Sequence, residues 1–590
     1  MDKRIVHRQK RDDIAGLENF HPLLQRIYAA RDIASSEDLD RELTTLSSYS
    51  DLLQIDRVAE RLAQALKSQQ QILIVGDFDA DGATSTVVAV KALRAFGAEN
   101  VAYIVPNRFE FGYGLTPEIV DVAVANDKPD LIITVDNGIA NHAGVDRANA
   151  LGIDVIITDH HLPAETLPEA YAIVNPNQPN DPFVSKCLAG VGVIFYVMLA
   201  LRSYLRGEGW FEEKNIPCPN MTTLLDVVAL GTVADVVPLD KNNRILVHQG
   251  LRRIRAGLAC PGIAALMRVS HKQPAEMVAA DLGFAVAPRL NAAGRLEDMA
   301  FGIACLLAED FSTALPMAER LNELNIERRA IETQMREEAY GIIEHLDLDH
   351  VSSMGLCLYD EEWHQGVVGL VASRVKEKLN RPVIAFSKKD DTALKGSGRS
   401  VKGVHIRDVL ASIDTQHPDL ITKFGGHAMA AGLSLPKENY EKFQTAFSDE
   451  IAKRLSPDDL QKRFETDGQL KNEEFTLANA LMLQEAGPWG QGFPGPSFDG
   501  EFRILEQRLV GEKHLKMVLQ AVGATHYVDG IAFNVDLSSW PNHRCENVHL
   551  VYRLDVNYYR DQKRLQLLVE SMWVTSNSKE GKSAEQLQYA

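Results

Sequence analysis

The chain has 590 residues, room for about three to five domains, and its 45% hydrophobic and 24% charged residues are the mix of a globular protein. That mix excludes a wholly disordered chain, a collagen-like repeat and a small disulfide scaffold. A net charge of −19, from 62 basic and 81 acidic side chains, argues against whole-surface binding of nucleic acid but leaves room for a local basic channel and for carboxylates gathered at a metal site.

The first thirteen residues, MDKRIVHRQKRDD, carry charge without an apolar core and so do not read as a secretory signal. Residues 1–50 are polar and helix-prone. From Gln71 a rhythm begins: short apolar runs at 71–75, 101–105, 131–135 and 155–158, separated by helical stretches. Strands spaced this way predict βαβ units in a parallel sheet, whose ligands sit beyond the carboxyl ends of the strands. The longest apolar run, Val191 to Leu201, is too short to cross a bilayer and reads as core. A long helical stretch is expected over roughly 300–345 and a second α/β segment over about 351–455. After about 460 come five short β-runs with Gly and Pro turns, the texture of a small barrel of the oligonucleotide-binding type. The tail from Ser576 is polar and reads as disordered. The six cysteines contain no CxxC pair, which points away from structural zinc and towards a reducing, cytoplasmic compartment.

The first strand exits into Gly76-Asp77-Phe78-Asp79-Ala80-Asp81-Gly82, where alternate side chains share a face and three carboxylates can converge. Buried carboxylates repel, so such a group is tolerable only with cations. Asp136 follows the third strand, and Asp159-His160-His161 follows the fourth. A later apolar run, LLDVVALGTVADVVPL, supplies Asp226 and Asp235. A lone Asp after a strand is most often a turn or cap residue, but acidic groups recurring strand after strand make that reading insufficient. The Asp-x-Asp-x-Asp-Gly spacing also matches half of a calcium-binding loop. Val88, however, stands where that loop needs its bidentate glutamate, and a strand rather than a helix precedes it. Carboxylates with imidazole and no thiolate suit Mn²⁺ or Mg²⁺, with ligands enough for two ions sharing a bridging carboxylate.

These segments resemble the DHH phosphoesterase family, whose name is the Asp159-His160-His161 motif. GDFDADG, VDNG, TDHH, GTVADVVPL, APRLNAAGRL at 287–296, KGSGRSV at 395–401, GGHAMAAG at 425–432 and PWGQGFP at 488–494 are all similar to motifs of its single-stranded-DNA exonuclease branch. The resemblance implies a DHH-type parallel-sheet domain (51–265), a helical connector (266–345), a DHH-associated α/β domain (346–455) and an oligonucleotide-binding-type β-barrel (460–575). An N-terminal segment (1–50) precedes these, and a disordered tail (576–590) ends the chain.

By resemblance, Asp79 and Asp81 are ligands of different ions, Asp136 bridges, and His160 and Asp235 complete the shell. Asp77 is used variably in the family, Asp159 orients an imidazole and His161 faces the scissile phosphate. Related enzymes often carry a histidine where Val75 stands, so one ion is expected to bind more weakly. The Arg108, Ser397 and Arg399 side chains would hold a terminal 5′-phosphate, Ser397 and Arg399 from a glycine-rich loop, and Tyr113 would stack a base. Arg289 and Asn291, in a Pro-Arg-Leu-Asn turn, would hold the phosphate nearest the metals, and His427 would contact the DNA backbone. Arg328 and Arg329 read as a solvated helix face, and Lys513, His514 and Lys516 as a cationic run of the barrel. The implied function is 5′→3′ degradation of single-stranded DNA to mononucleotides in replication, repair and recombination. Single-strand-binding protein and a RecQ-type helicase are the implied partners; the chain is expected to be a monomer, with no membrane involved. The alternatives are a DHH enzyme for oligoribonucleotides or pyrophosphate, against which the β-rich domain argues, and a non-catalytic DNA-binding scaffold, against which the complete carboxylate set argues.

Overall fold

The computed structural model describes residues 4–107, 113–344, 354–537, 540–559 and 562–575. Arg108 and the tail from Ser576 therefore lie outside the described residues. The chain divides into two compact units: one of Arg11–Ile326 with Ala486–Gly495, the other of Glu327–Glu485 with the residues up to Lys10 and those from Pro496 onward.

The first unit is built on a parallel sheet of β1 (Ile72–Gly76), β2 (Val101–Ile104), β3 (Leu131–Val135), β4 (Asp154–Thr158) and β5 (Ala172–Val174), in the order β2-β1-β3-β4-β5. Strands β1 and β3 are buried at every position, which is why they read as unbroken apolar runs rather than alternating ones. The three residues of β5 are too few to carry a sequence signal. Helix α1 (Ala80–Ala95) leaves β1 directly, so the acidic loop is the turn between strand end and helix start.

Two sequence expectations are corrected here. The LLDVVALGTVA run is not strand-like but helix α2 (Leu225–Ala234), buried along most of its length; a short continuous apolar run cannot be told from a strand by periodicity. The Pro-Arg-Leu-Asn segment is not a turn: it lies in helix α3 (Ala287–Leu296), preceded by a π-helical turn over Leu282–Val286. Pro288 sits in the first turn of α3, directly after the π-helical turn. The long helix α4 (Phe311–Glu344) forms as expected, with Pro316 inside it. The boundary between the units falls within it.

In the second unit, β6 (Leu356–Tyr359), β7 (Val383–Lys388), β8 (Ala393–Arg399), β9 (Lys423–Gly426) and β10 (Ala430–Pro436) form a mixed sheet ordered β9-β10-β8-β7-β6. The KGSGR segment is strand β8 and not a loop. Its glycines serve close packing: a Cβ on Gly396 would stand 2.5 Å from Phe386, and one on Gly398 2.6 Å from Ile406. Helix α5 (Val368–Leu379) packs on β7 and β8. Arg328 is also corrected: it is mostly buried and ion-paired to Glu332 at 2.6 Å, while Arg329 is exposed as expected.

Strands β11 (Phe498–Val510), β12 (His514–Ala521), β13 (Val528–Ala532), β14 (Asn547–Tyr559) and β15 (Gln562–Val574) close a barrel in the order β11-β12-β13-β15-β14. The polar N-terminal segment also contains a strand, Arg4–His7, paired in parallel with Arg463–Thr466. All six cysteines are free. Among the described residues, no helix is long and apolar enough to cross a membrane.

Candidate metal centre and substrate residues

The carboxyl edge of the β1–β4 sheet gathers the expected side chains. Three sets of donor atoms each lie within 4.8 Å of one another: Asp77, Asp79 and Asp136; Asp81, His160 and Asp235; and Asp136, His160 and His161. Asp79 and Asp81 thus fall in different sets, and Asp136 belongs to two. Asp226, from the same helix as Asp235, is not among them; it accepts from Cys260 N at 2.6 Å and pairs with Arg253 at 3.5 Å.

Each ligand candidate is held by its backbone context. Asp79 caps α1, its Oδ1 accepting from the N–H groups of Asp81 and Gly82, which leaves Oδ2 open. Asp77 accepts from Phe78 N at 2.7 Å. Asp136 stands at φ 62°, a left-handed conformation costly for a non-glycine residue and typical of functional strand ends. Asn137 secures that corner by donating to the carbonyls of Val75 and Val135. Asp235 closes the C-terminus of α2.

The histidine pair is pinned from behind. Asn177 donates to the carbonyl of His160 at 2.7 Å and Asn175 to that of His161 at 2.9 Å. Both Asp159 oxygens are engaged: Oδ1 with the N–H of His160 and of His161 and with His161 Nδ1, Oδ2 with the N–H of Ile139. Asp159 is therefore saturated as an acceptor and orients His161 rather than facing the cluster. His160 points its Nε2 into the cluster, 3.1 Å from Asp136 and 3.4 Å from Asp235.

Electrostatics mark the cluster as short of positive charge. Burial, then the neighbouring carboxylates, push Asp81 and Asp235 up to about 7 and Asp136 well above the usual carboxylate range. Burial would also raise Asp159, but the charge and hydrogen bond of His161 outweigh it and hold that carboxyl well below its ordinary value. Burial would lower His161, yet Asp159 carries it to about 9, whereas burial and the charge of His161 lower His160. Asp136 Oδ1 and His160 Nε2, though 3.1 Å apart, are buried and make no well-aligned hydrogen bond with each other or with any other described group. Unmet donor atoms among crowded carboxylates fit divalent cations with oxygen and imidazole ligands.

One contributor is invisible to a reading of the sequence. The N-terminus of the helix Gly190–Gly207 turns its N–H groups onto Asp81: Gly190 N lies 2.6 Å from Oδ2 and Val191 N 2.9 Å from Oδ1. A Cβ on Gly190 would stand 2.6 Å from the Cβ of Asp136, so only glycine admits this approach. The Ala-Gly-Val-Gly run reads as plain core; a glycine pair at the head of an apolar helix is the available signal.

Around the cluster, Tyr113 donates to the carbonyl of Asp136 at 3.2 Å and sets its ring edge-on to Phe78 and to His161. Asn291 accepts from Ala80 N at 2.9 Å, fastening α3 to the acidic loop. Arg289 folds back along its helix to the carbonyl of Ala285 and donates to Asn322 at 2.9 Å.

In the second unit, Ser397 and Arg399 project from the same face of β8, with Nη1 3.1 Å from the Ser397 hydroxyl. A Cβ on Gly369 would stand 2.8 Å from each side chain, so both meet the first turn of α5, whose N–H groups favour anions. His427 lies exposed in the turn between β9 and β10.

The comparisons with known proteins agree along the chain. Residues 71–232 match the DHH family N-terminal domain, 351–453 the DHHA1 domain and 466–571 the RecJ OB domain. The chain is 52% identical over 573 residues to the single-stranded-DNA-specific exonuclease RecJ of Salmonella typhimurium, covering 97% of this chain and 99% of that one. It is also similar to crystal structures of RecJ from Thermus thermophilus. The complex with Mn²⁺ gives a TM-score of 0.78 at 28% identity over 98% of this chain and 81% of that one. The complex with Mg²⁺ gives 0.73 at 26% identity over 98% and 79%.

Proposed function

This chain belongs to the RecJ family of single-stranded-DNA-specific exonucleases, and on that premise we propose how its residues divide the work. It is a metal-dependent nuclease acting on single-stranded DNA, with Mn²⁺ or Mg²⁺ as cofactor. The small-substrate and scaffold readings have no comparable support.

Two ions would be held by Asp77, Asp79, Asp81, His160 and Asp235, with Asp136 common to both. Bound there, they would polarise the phosphodiester and make water a competent nucleophile. The protein's own share is positional. Asp159 takes up Nδ1 of His161, the Tyr113 hydroxyl stands 3.4 Å from Nε2, and the Nε2 edge of the ring so held faces the scissile phosphate. Arg289 and Asn291 take the phosphate beside the metals, and Tyr113 takes a base. Ser397 and Arg399, backed by the N-terminus of α5, take the 5′-terminal phosphate, and His427 a further one. That division gives 5′→3′ polarity and mononucleotide products.

Function divides along the same limits as the sequence: metal binding in 51–265, connection and the Arg289 and Asn291 phosphate contacts in 266–345, 5′-end binding in 346–455 and strand holding in 460–575. The setting is cytoplasmic DNA repair, recombination and replication, with a monomer working beside single-strand-binding protein and a RecQ-type helicase.

The observation that carries this reading is Asp136, among the described residues the one carboxylate in two donor sets: with Asp77 and Asp79 in one, and in the other with His160, which also belongs to the set of Asp81 and Asp235. Asp136→Ala is expected to abolish cleavage of a labelled 40-mer in Mn²⁺ while its affinity for the strand in EDTA stays near wild type. Wild-type turnover of the variant at saturating Mn²⁺ would refute the shared role.

A further inference from the structure

Phe284 is 87% exposed, the most exposed large hydrophobic side chain among the described residues. It belongs to the π-helical turn Leu282–Val286 that runs into α3. Its neighbours Leu282 and Val286 are buried, so the turn is packed and Phe284 alone is turned out. The wide turn has a consequence for register. Ala287 N bonds to Leu282 O, five residues back, and this wide spacing brings residues five apart, such as Phe284 and Arg289, nearer to one face of the helix than α-helical spacing would. Asn291 continues the same, less buried stripe of the helix. It is fastened to the N–H of Ala80 beside the acidic loop. Seven residues at helical rise put Phe284 about 10 Å along the axis from Asn291. On the other flank, Gly283 approaches Val233 of α2, where a Cβ would stand 3.2 Å from it. Three residues further, just after Asp235, Val236 is 64% exposed at φ 60°.

An aromatic ring in water, followed along the same helix by a cation and by an amide fastened beside the metal loop, repeats the composition of a single-strand track, where bases stack on rings and phosphates meet cations. We propose that Phe284 is a base-stacking platform that positions the substrate strand, taking a nucleobase within two nucleotides of the scissile phosphate with Val236 against its edge. A ring stacks any base, so the contact adds grip without sequence preference. It also selects for unpaired strands, because a base already stacked in a duplex cannot lie on the ring. The inference rests on the exonuclease reading above.

The test is an abasic scan. Single-turnover cleavage in Mn²⁺ is measured on 5′-phosphorylated 20-mers carrying one tetrahydrofuran residue at successive positions. Wild type should lose roughly tenfold when the stacked base is removed, within the range of base–aromatic contacts. Phe284→Ala should show that loss on intact DNA and no further loss at the same position, since the two changes delete one interaction. Phe284→Trp should restore both the rate and the positional dependence. An alanine variant that keeps the wild-type scan overturns the proposal. So does one that melts earlier and loses activity equally at every position, which would assign the ring to packing. Failure of wild type to degrade the unmodified strand would instead overturn the exonuclease reading, so the two failures are distinct.

Discussion

Asp159 Oδ1 lies 2.7 Å from His161 Nδ1 and also accepts from the backbone N–H of both histidines. One carboxylate therefore sets the backbone of the pair and the ring orientation of its second member. Asp159→Asn keeps the shape but loses the charge that fixes the imidazole. Residues holding a ligand or catalytic imidazole in this way typically account for about 10–100-fold in activity or metal affinity. Single-turnover cleavage at saturating Mn²⁺ should fall by that order, with strand affinity in EDTA unchanged. A wild-type rate for the variant would remove Asp159 from the mechanism.

How much of the chain is legible depends on the range of the physics involved. Strands β1, β3 and β4 of the parallel sheet are readable because strands buried on both faces must be continuously apolar, the half-buried edge strand β2 because it repeats their spacing, and the barrel because its runs alternate between Gly and Pro turns. The cluster is readable because a strand end fixes the position of the next few residues. Asp77, Asp79, Asp81, Asp136 and His160 sit in or beside the turns directly after β1, β3 and β4. Asp235 is found by its place in a motif, but the run carrying it is a helix, and Asp226 on that helix points elsewhere. Long-range packing is not legible: the N–H groups of Gly190 and Val191 reach Asp81 from more than a hundred residues away. For the same reason the strand character of KGSGR is hidden, since its glycines answer to Phe386 and Ile406 rather than to local turn chemistry.

Arg399 and Ser397 share one face of β8 against the first turn of α5. If that corner holds the terminal phosphate, Arg399→Ala should slow cleavage of 5′-phosphorylated strands by at least roughly tenfold more than that of 5′-hydroxyl strands. A charge-assisted bidentate contact of this kind contributes roughly 1.5–3 kcal/mol. Equal slowing of both substrates would make Arg399 an ordinary backbone contact.

His248, half-buried in the helix Lys241–Arg255, sits among Arg41, Arg252 and Arg255; burial first, and then those cations, lower it to about 4. The folded chain thus resists a proton that the unfolded chain accepts near 6.5. The sign is fixed by that difference: stability falls as pH drops from about 6.5 towards 4, because the unfolded state binds the extra proton, and nothing is lost above that window. Discounted for partial solvent screening, the penalty at pH 5 is on the order of 1 kcal/mol. His248→Gln should therefore narrow the gap between urea midpoints at about pH 7.5 and pH 5 by that amount. An unchanged gap would mean that neither burial nor the arginines hold this ring neutral.

Lys513 and Lys516 differ in what the barrel already asks of them. Lys516 is half-buried on β12 and pairs with Asp529 of β13 at 3.5 Å, and His514 caps Asn534 N at 3.2 Å. Lys513 is exposed in the turn between β11 and β12. The two lysines therefore separate strand holding from packing. Each phosphate neutralised on a single strand steepens the plot of log affinity against log salt by about 0.7. Lys513→Glu should weaken binding of a long single strand and flatten that plot by about one contact, with the melting temperature unmoved. Lys516→Glu should lower the melting temperature as well, because it faces Asp529 with a like charge, and Asp529→Lys in the same chain should recover it. If Lys513→Glu binds with the wild-type slope, the barrel's turn is not part of the DNA track, and its closed sheet serves to pack the second unit.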